Sequence, residues 1–491
     1  MIHYMNIKSI EDYRIFLRIK SLPTYRISGH IAEFPDEYAA IVGEKSKSKR
    51  TSYKPPEWMF DYQRDITKMA ISKQKFAVFA DCGLGKTSII LEFARHAAKH
   101  SKRRILIVSP LMVVKQTLAE AERFFGSSLR LEKVNASGLS EWINGKSNGE
   151  IGITNYDAIR DDTPQGNLGG LILDESSMLK SHYGKWGTSL IRMGRGLEWK
   201  LCCTGTPAPN DRIEYANHAV FLDAFPTVNS FLAKFFVNRG QTQDRWELKP
   251  HALDGFYRAL SHWCIFLTNP ATYGWKDNTA SIPPINVNIH DVALTDEQTD
   301  AVYRKTNRLF VDQAGGITKR AALAQIGKGI VDGERIDSMK PTFIRDLIAS
   351  WPNESTIVWC NYNLEQDVLA AMIPGAASID GNTDYEDRER IIDGFKSGTI
   401  KTLVTKPKIL GFGLNLQIAT RHVFSSLQDS YESYYQAVKR SNRIGSELPL
   451  NVHIPVTEVE RPMVDNVLRK AGMVQRDTEE QERIFRNAQR I

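Results

Sequence analysis

The segment AVFADCGLGKTSIILEF, residues 77–93, restricts the chain more than any other. The apolar run FAVFA at 76–80 has the length of a buried strand, and an apolar pattern of helical period begins after Thr87. Gly83-Leu84-Gly85 lies between them. Glycines let a backbone fold tightly around an anion with its N–H groups turned inward, and the following helix brings its positive end to the same place. The order therefore predicts a phosphate-binding loop. Gly83 and Gly85 would cradle a nucleotide, Lys86 would bridge its β- and γ-phosphates, and Thr87 would ligate Mg²⁺. ATP and Mg²⁺ are the implied cofactors. Position 80 is alanine where the strict string has glycine.

A second signal fits the first. LILDESSMLK at 171–180 is an apolar strand ending in Asp174-Glu175. Alone, such a run is an ordinary strand end. Beside a phosphate loop, Asp174 is expected to hold Mg²⁺, through water, and Glu175 to orient and deprotonate the attacking water.

The rest of the chain alternates in the same way. Strand-like runs recur at 105–109, 151–154, 171–174 and 201–203, then again at 356–360, 401–405, 422–426 and 451–456, with helical patterns between. Strand, helix, strand in this order predicts parallel sheets covered by helices, here two of them. The stretch 215–350 reads mostly helical, with an extended piece at 281–292, and Pro283-Pro284 marks a boundary. Residues 1–43 mix strand-like runs, YRIFLRI and TYRISGHIAEF, with a short helical pattern. A polar linker follows, with Lys45, Lys47, Lys49, Arg50 and Lys54. It reads as a solvated hinge or a phosphate-contacting arm. The expected domains are 1–50, 51–284 and 285–491.

Composition narrows the class. With 42% apolar and 25% charged residues in 491, packed cores are expected and disorder is excluded as the main organisation. The five cysteines are scattered without a C-x-x-C pair, which argues against a disulfide framework or zinc cluster. No apolar run approaches the ~18 residues of a membrane helix, and the first residues carry no secretory pattern, so a cytosolic protein without a membrane partner is expected. The net charge of +7 permits a polyanionic partner without demonstrating one.

The motif series resembles the superfamily-two helicase core, and within it the Swi/Snf-type ATPases. DCGLGKT is similar to that family's motif I, SPLMVVKQTLAE (109–120) to Ia, ITNYDAI (153–159) to Ib, DESSMLK to II and CCTGTPAPN (202–210) to III. TIVWCNY (356–362) is similar to motif IV, IDGNTDYEDRERIIDGF (379–395) to IVa, GFGLNLQIA (411–419) to V and YYQAVKRSNRIGS (434–446) to VI. The match covers about 58–460 in the family's order. The short strand linkers look like those of bacterial or phage members.

The resemblance implies two RecA-like P-loop domains with parallel sheets, plus a small N-terminal domain. It makes Arg440 and Arg443 trans-domain arginine fingers. Gln436, Arg440 and Arg443 are four and three residues apart and can share one helix face. Gln63 would read adenine, and Gly413 and Gln436 would line the nucleotide. Nucleic-acid contacts are implied at Ser109 and Lys115, at Thr154, at Asn361 and at Thr383. Two departures stand out: motif II reads DESS rather than DEAH, and Lys406-Pro407-Lys408 precedes motif V. Lys406 and Lys408 are therefore candidate phosphate contacts. The expected activity is an ATP-dependent translocase or helicase on duplex or branched DNA, working as a monomer. An RNA helicase, the motor of a restriction system and a non-hydrolysing ATP-gated clamp are the alternatives.

Overall fold

The computed structural model describes all residues except 7, 23, 36–37, 45–52, 147, 180–184, 209–210, 241–245, 312–315, 411–413, 428–430 and 490–491. It divides into two compact units, Met1–Asp277 with Arg476–Ile491, and Asn278–Gln475. Most of the basic linker lies outside the described residues. Among the described residues no helix is long and apolar enough to cross a membrane.

The first unit opens with a small antiparallel sheet of β1 (Ile2–Tyr4), β2 (Arg26–Ser28) and β3 (Ile31–Glu33), in the order β1-β3-β2. TYRISGHIAEF forms its β2–β3 hairpin. YRIFLRI, expected as a strand, instead lies inside the helix Ile10–Ser21. The reason is local. The Ser9 hydroxyl accepts from Asp12 N at 3.1 Å, and the Asp12 carboxylate accepts from Ser9 N at 3.0 Å. This reciprocal cap satisfies N–H groups that a helix start otherwise leaves open. Ile19 and Leu22 then bury against Ala32 and Phe34.

The main sheet of this unit takes β4 (Lys75–Ala80), β5 (Arg104–Ser109), β6 (Leu131–Lys133), β7 (Ile151–Asn155), β8 (Leu168–Asp174) and β9 (Trp199–Cys203). A hairpin of β10 (Phe236–Asn238) and β11 (Trp246–Leu248) follows, and β12 (Cys264–Leu267) completes the sheet. All seven strands are parallel, in the order β12-β4-β9-β8-β5-β7-β6. Central strands buried on both faces read as continuous apolar runs; β8 is buried at every position. The carboxyl ends of β4, β5, β8 and β9 therefore gather at one edge, where open α/β sheets bind ligands.

The second unit has β13 (Ile285–Asp291), a hairpin of β14 (Ile330–Val331) and β15 (Glu334–Arg335), then β16 (Thr356–Trp359), β17 (Ala376–Ile379), β18 (Thr402–Thr405), β19 (Arg421–Phe424) and β20 (Leu450–Val456). Its six-stranded sheet is also parallel, in the order β13-β20-β19-β16-β18-β17. The two expected α/β sheets are thus present. In these two sheets the strands absent from the sequence reading are short: β6 is a three-residue edge with two exposed positions, β12 comes soon after the helix Leu253–Ser261, and β17 reads AASI, without a run of β-branched residues.

Candidate active site

β4 delivers the loop Asp81–Gly85 into the helix Lys86–Ser101. Gly83 and Gly85 adopt φ of +86° and +67°, where an L side chain costs about 1–2 kcal/mol. At Gly85 a Cβ would also stand 2.3 Å from Gln63 Nε2. Gly85 offers no side chain to cap the helix, so no side chain takes up the first N–H groups. Lys86 Nζ donates to Ala80 O at 2.9 Å and Asp81 O at 3.3 Å. Burial alone would pull this ammonium down, but the charges of Cys82, Glu175, Asp174 and Asp81 outweigh it and the net shift is upward. Thr87 is half-buried beside it in the first helical turn.

β8 ends on Asp174, whose side chain is only 7% exposed. Its Oδ2 accepts from Ser109 Oγ at 2.9 Å and its Oδ1 from Glu175 N at 3.1 Å. Burial first, and Glu175 second, push this carboxyl up to about 7, against the Ser109 hydrogen bond and Lys86. Glu175 has φ +50°, a strained conformation worth of order 1 kcal/mol that persists only where neighbours hold it. Tyr156 Oη donates to Asp174 O at 2.6 Å just before it. Its carboxylate accepts from Thr204 Oγ1 at 3.2 Å, and Thr206 N donates to that same hydroxyl at 3.2 Å. The end of β9 thus aims the glutamate, using the threonines of TGTP.

Gln63 is buried, and the loop uses its amide: Oε1 accepts from Phe60 N at 3.1 Å and Nε2 donates to Leu84 O at 3.2 Å. Tyr62 Oη donates to Leu84 O as well, at 3.0 Å. As placed, Gln63 braces the loop Asp81–Gly85. Phe60, 48% exposed and stacked on Tyr62, leaves an aromatic surface beside it.

In the second unit, the expectation of one helix face for Gln436, Arg440 and Arg443 fails. The helix Tyr431–Val438 carries Gln436 and ends before both arginines. Ser441 and Asn442 explain the stop, because short polar side chains compete with helical hydrogen bonds. Ser441 Oγ donates to Leu416 O at 2.9 Å, Asn442 Nδ2 to Pro283 O at 2.7 Å, and Ser446 Oγ back to Ser441 O at 2.6 Å. Arg440 is buried in this turn and Arg443 half-buried. Gln436 is buried, with Nε2 donating to Glu432 Oε1 at 3.3 Å. Gly413 lies outside the described residues.

The expected nucleic-acid contacts divide. Neither Ser109 nor Thr154 has its hydroxyl at the surface: both are buried, one donating to Asp174 and the other to Val134 O at 2.8 Å. Thr383 turns its hydroxyl back to Asp380 Oδ1 at 2.8 Å, and Asn361 Nδ2 donates to Ser426 Oγ at 2.8 Å. Lys115 and Lys408 are exposed. Lys406 Nζ bonds Asn363 Oδ1.

Residues 57–339 match the family of the SNF2-related domain, and residues 339–445 the helicase conserved C-terminal domain. Over 207 residues, 40% of this chain and 50% of the other, the sequence is 23% identical to the ATP-dependent RNA helicase FAL1 of Kluyveromyces lactis. Over 105 residues, 21% of this chain and 18% of the other, it is 30% identical to the DNA 3'-5' helicase XPB of Mycobacterium tuberculosis. The chain spans half or less of the length of these curated relatives. Among solved structures, the Sulfolobus solfataricus SWI2/SNF2 ATPase core in complex with dsDNA is similar at 19% identity and a TM-score of 0.40, over 89% of this chain and 96% of that one.

Proposed function

We propose a function from one premise: this chain belongs to the SNF2-related family, with a helicase C-terminal domain behind it. It is a helicase-type ATPase core, and our reading is that it hydrolyses ATP to move along duplex or branched DNA. The observation that carries the reading is the meeting at one sheet edge of Lys86, resting on the carbonyls of Ala80 and Asp81, with Asp174 and the strained, Thr204-held Glu175.

The residues fit Mg²⁺. A buried carboxyl pushed up to about 7 by burial and by a second acid is a place where a cation relieves charge, and Asp174 and Thr87 would hold it. When bound, the ion would offset the negative charge of the phosphates. Gly83 and Gly85 shape the phosphate cradle, and Lys86 exchanges its carbonyl contacts for phosphate oxygens. Glu175 takes the proton of the attacking water from a direction set by Thr204. Ser109, on our reading, holds Asp174 rather than a nucleic-acid backbone. Arg440 and Arg443 are our candidates for the arginines that stabilise charge on the transferred phosphoryl, and Gln436 and Gly413 for nucleotide contacts, on the motif resemblance. Lys115 and Lys408, exposed cations, are the first candidates for backbone phosphates.

Steady-state phosphate release with single-stranded, duplex, forked and four-way DNA, and with RNA, tests this. Duplex or branched DNA should stimulate hydrolysis most, with stimulation falling steeply as salt rises. Lys86→Ala and Glu175→Gln should each abolish it. Parent-like rates in both variants would refute the site assignment, and stronger stimulation by RNA would replace DNA as the track.

A further inference from the structure

The residue after Glu175 has a partner that no motif predicts. Ser176 is fully buried, and its hydroxyl lies 3.1 Å from His218 Nε2. His218 is also fully buried, on the short helix Tyr215–Phe221, and its ring stands edge-on to Phe79 of β4 at 5.2 Å between centroids. Its Nδ1 faces Glu214 O at 3.5 Å. The Nε2–Ser176 bond forms in either tautomer, the hydroxyl donating to a bare Nε2 or accepting from a protonated one. Burial keeps the ring neutral, pulling it down to about 4.

We infer that His218 is a positioning residue for hydrolysis, holding Glu175 in its strained conformation through Ser176. The inference rests on the reading of Glu175 as the base. A left-handed residue between two peptide planes needs both planes fixed. Tyr156 fixes the plane before Glu175 through the Asp174 carbonyl, at 2.6 Å. Ser176, tied to His218, anchors the chain after it. Because His218 also packs on β4, the strand that launches the phosphate loop, it ties the glutamate turn to that loop. If the second anchor is lost, Glu175 can relax toward ordinary φ and its carboxylate leaves Thr204. Lys86 and the loop glycines keep their own contacts, so nucleotide binding is spared.

The test compares Ser176→Ala, His218→Leu and His218→Gln with the parent by steady-state phosphate release, binding of a fluorescent ADP analogue and melting temperature. Ser176→Ala and His218→Leu should each lower kcat about 10- to 100-fold, with KM for ATP and ADP affinity within about twofold. His218→Gln, whose amide reaches the Nε2 position, should recover kcat to within about threefold. Combining Ser176→Ala with His218→Leu should cost little more than either alone, because both cut one link. Ser176→Ala removes a single oxygen, so it decides the matter if His218→Leu folds poorly. Parent-like kcat in Ser176→Ala, no recovery by His218→Gln, or additive losses would overturn the inference. Glu175→Gln in the same series separates the two readings. If it is active, the base assignment is wrong; if it is dead while Ser176→Ala is unaffected, the positioning role is wrong.

Discussion

Two of the buried carboxylates, Asp174 and Glu460, have opposite surroundings. Among the described residues, Asp174 in the first unit takes hydrogen bonds from a hydroxyl and a backbone N–H, and it is pushed up to about 7. Glu460 in the second unit takes Lys340 Nζ at 2.6 Å on one oxygen and Lys328 Nζ at 3.0 Å on the other. The Thr457 hydroxyl adds a bond at 2.7 Å. Burial would raise Glu460 too, but Lys340 and then Lys328 outweigh it and hold it down at about 2. Both acids sit at or just past the carboxyl end of a parallel strand. One is left partly uncompensated, which suits the cation site we propose; the other is neutralised within the fold. Burial alone does not identify a functional acid. The balance of charge around it separates Asp174 from Glu460.

The comparison breaks first at Asp174. Asp174→Asn removes a charge that the apo protein balances only in part, through Lys86, so the melting temperature without Mg²⁺ and nucleotide should stay level or rise. Phosphate release should fall at least 10³-fold, because the variant would lose the proposed carboxylate ligand of the ion used in phosphoryl transfer. A substantial loss of apo stability would mean that Asp174 is structural after all. Lys340→Met is the opposite case. It leaves Glu460 half-paired in the interior, and breaking a buried pair costs about 3–5 kcal/mol; the low end is expected because Lys328 remains. The urea midpoint should drop accordingly. An unchanged midpoint would mean that Lys328 alone compensates Glu460.

The same contrast explains what could be read from the sequence. Lys86, Asp174 and Glu175 lie within a residue or two of strand or helix ends, so a local string revealed them. Ser109 and Asp174 are 65 positions apart, and Lys340 and Glu460 are 120 apart. Only the sheet order brings such pairs together, and one sequence does not state it. The arginine turn failed for a local reason instead. Four-and-three spacing suggested a helix, but Ser441 and Asn442 spend their side chains on Leu416 and Pro283 and end it. YRIFLRI erred the other way: its β-branched and aromatic residues outweighed, in the reading, a Ser9–Asp12 cap that the chain uses.

The smallest effect sharpens the comparison through pH. Glu460, held below its ordinary value, contributes stability that is present above about 4.5 and lost as pH falls through about 2. A second buried group in the same unit responds earlier. His422 is fully buried, burial pulls it down to about 3, and its Nε2 meets Ser441 Oγ at 2.8 Å in the arginine turn. In the unfolded chain this histidine takes a proton near 6.5, while in the fold it stays neutral. Below 6.5 the unfolded state therefore binds more protons, and stability falls with pH by up to about 1.4 kcal/mol per unit until about 3. Acid sensitivity should begin near 6.5, well before Glu460 contributes. His422→Gln keeps a polar partner for Ser441 and removes the titration. Between pH 6.5 and 4.5 its unfolding free energy, from urea titrations, should fall less steeply than the parent's, by about 1 kcal/mol per unit. Equal slopes would assign the early loss to other histidines, of which His453, pulled down to about 4 by burial and by His290 beside it, is the first to examine.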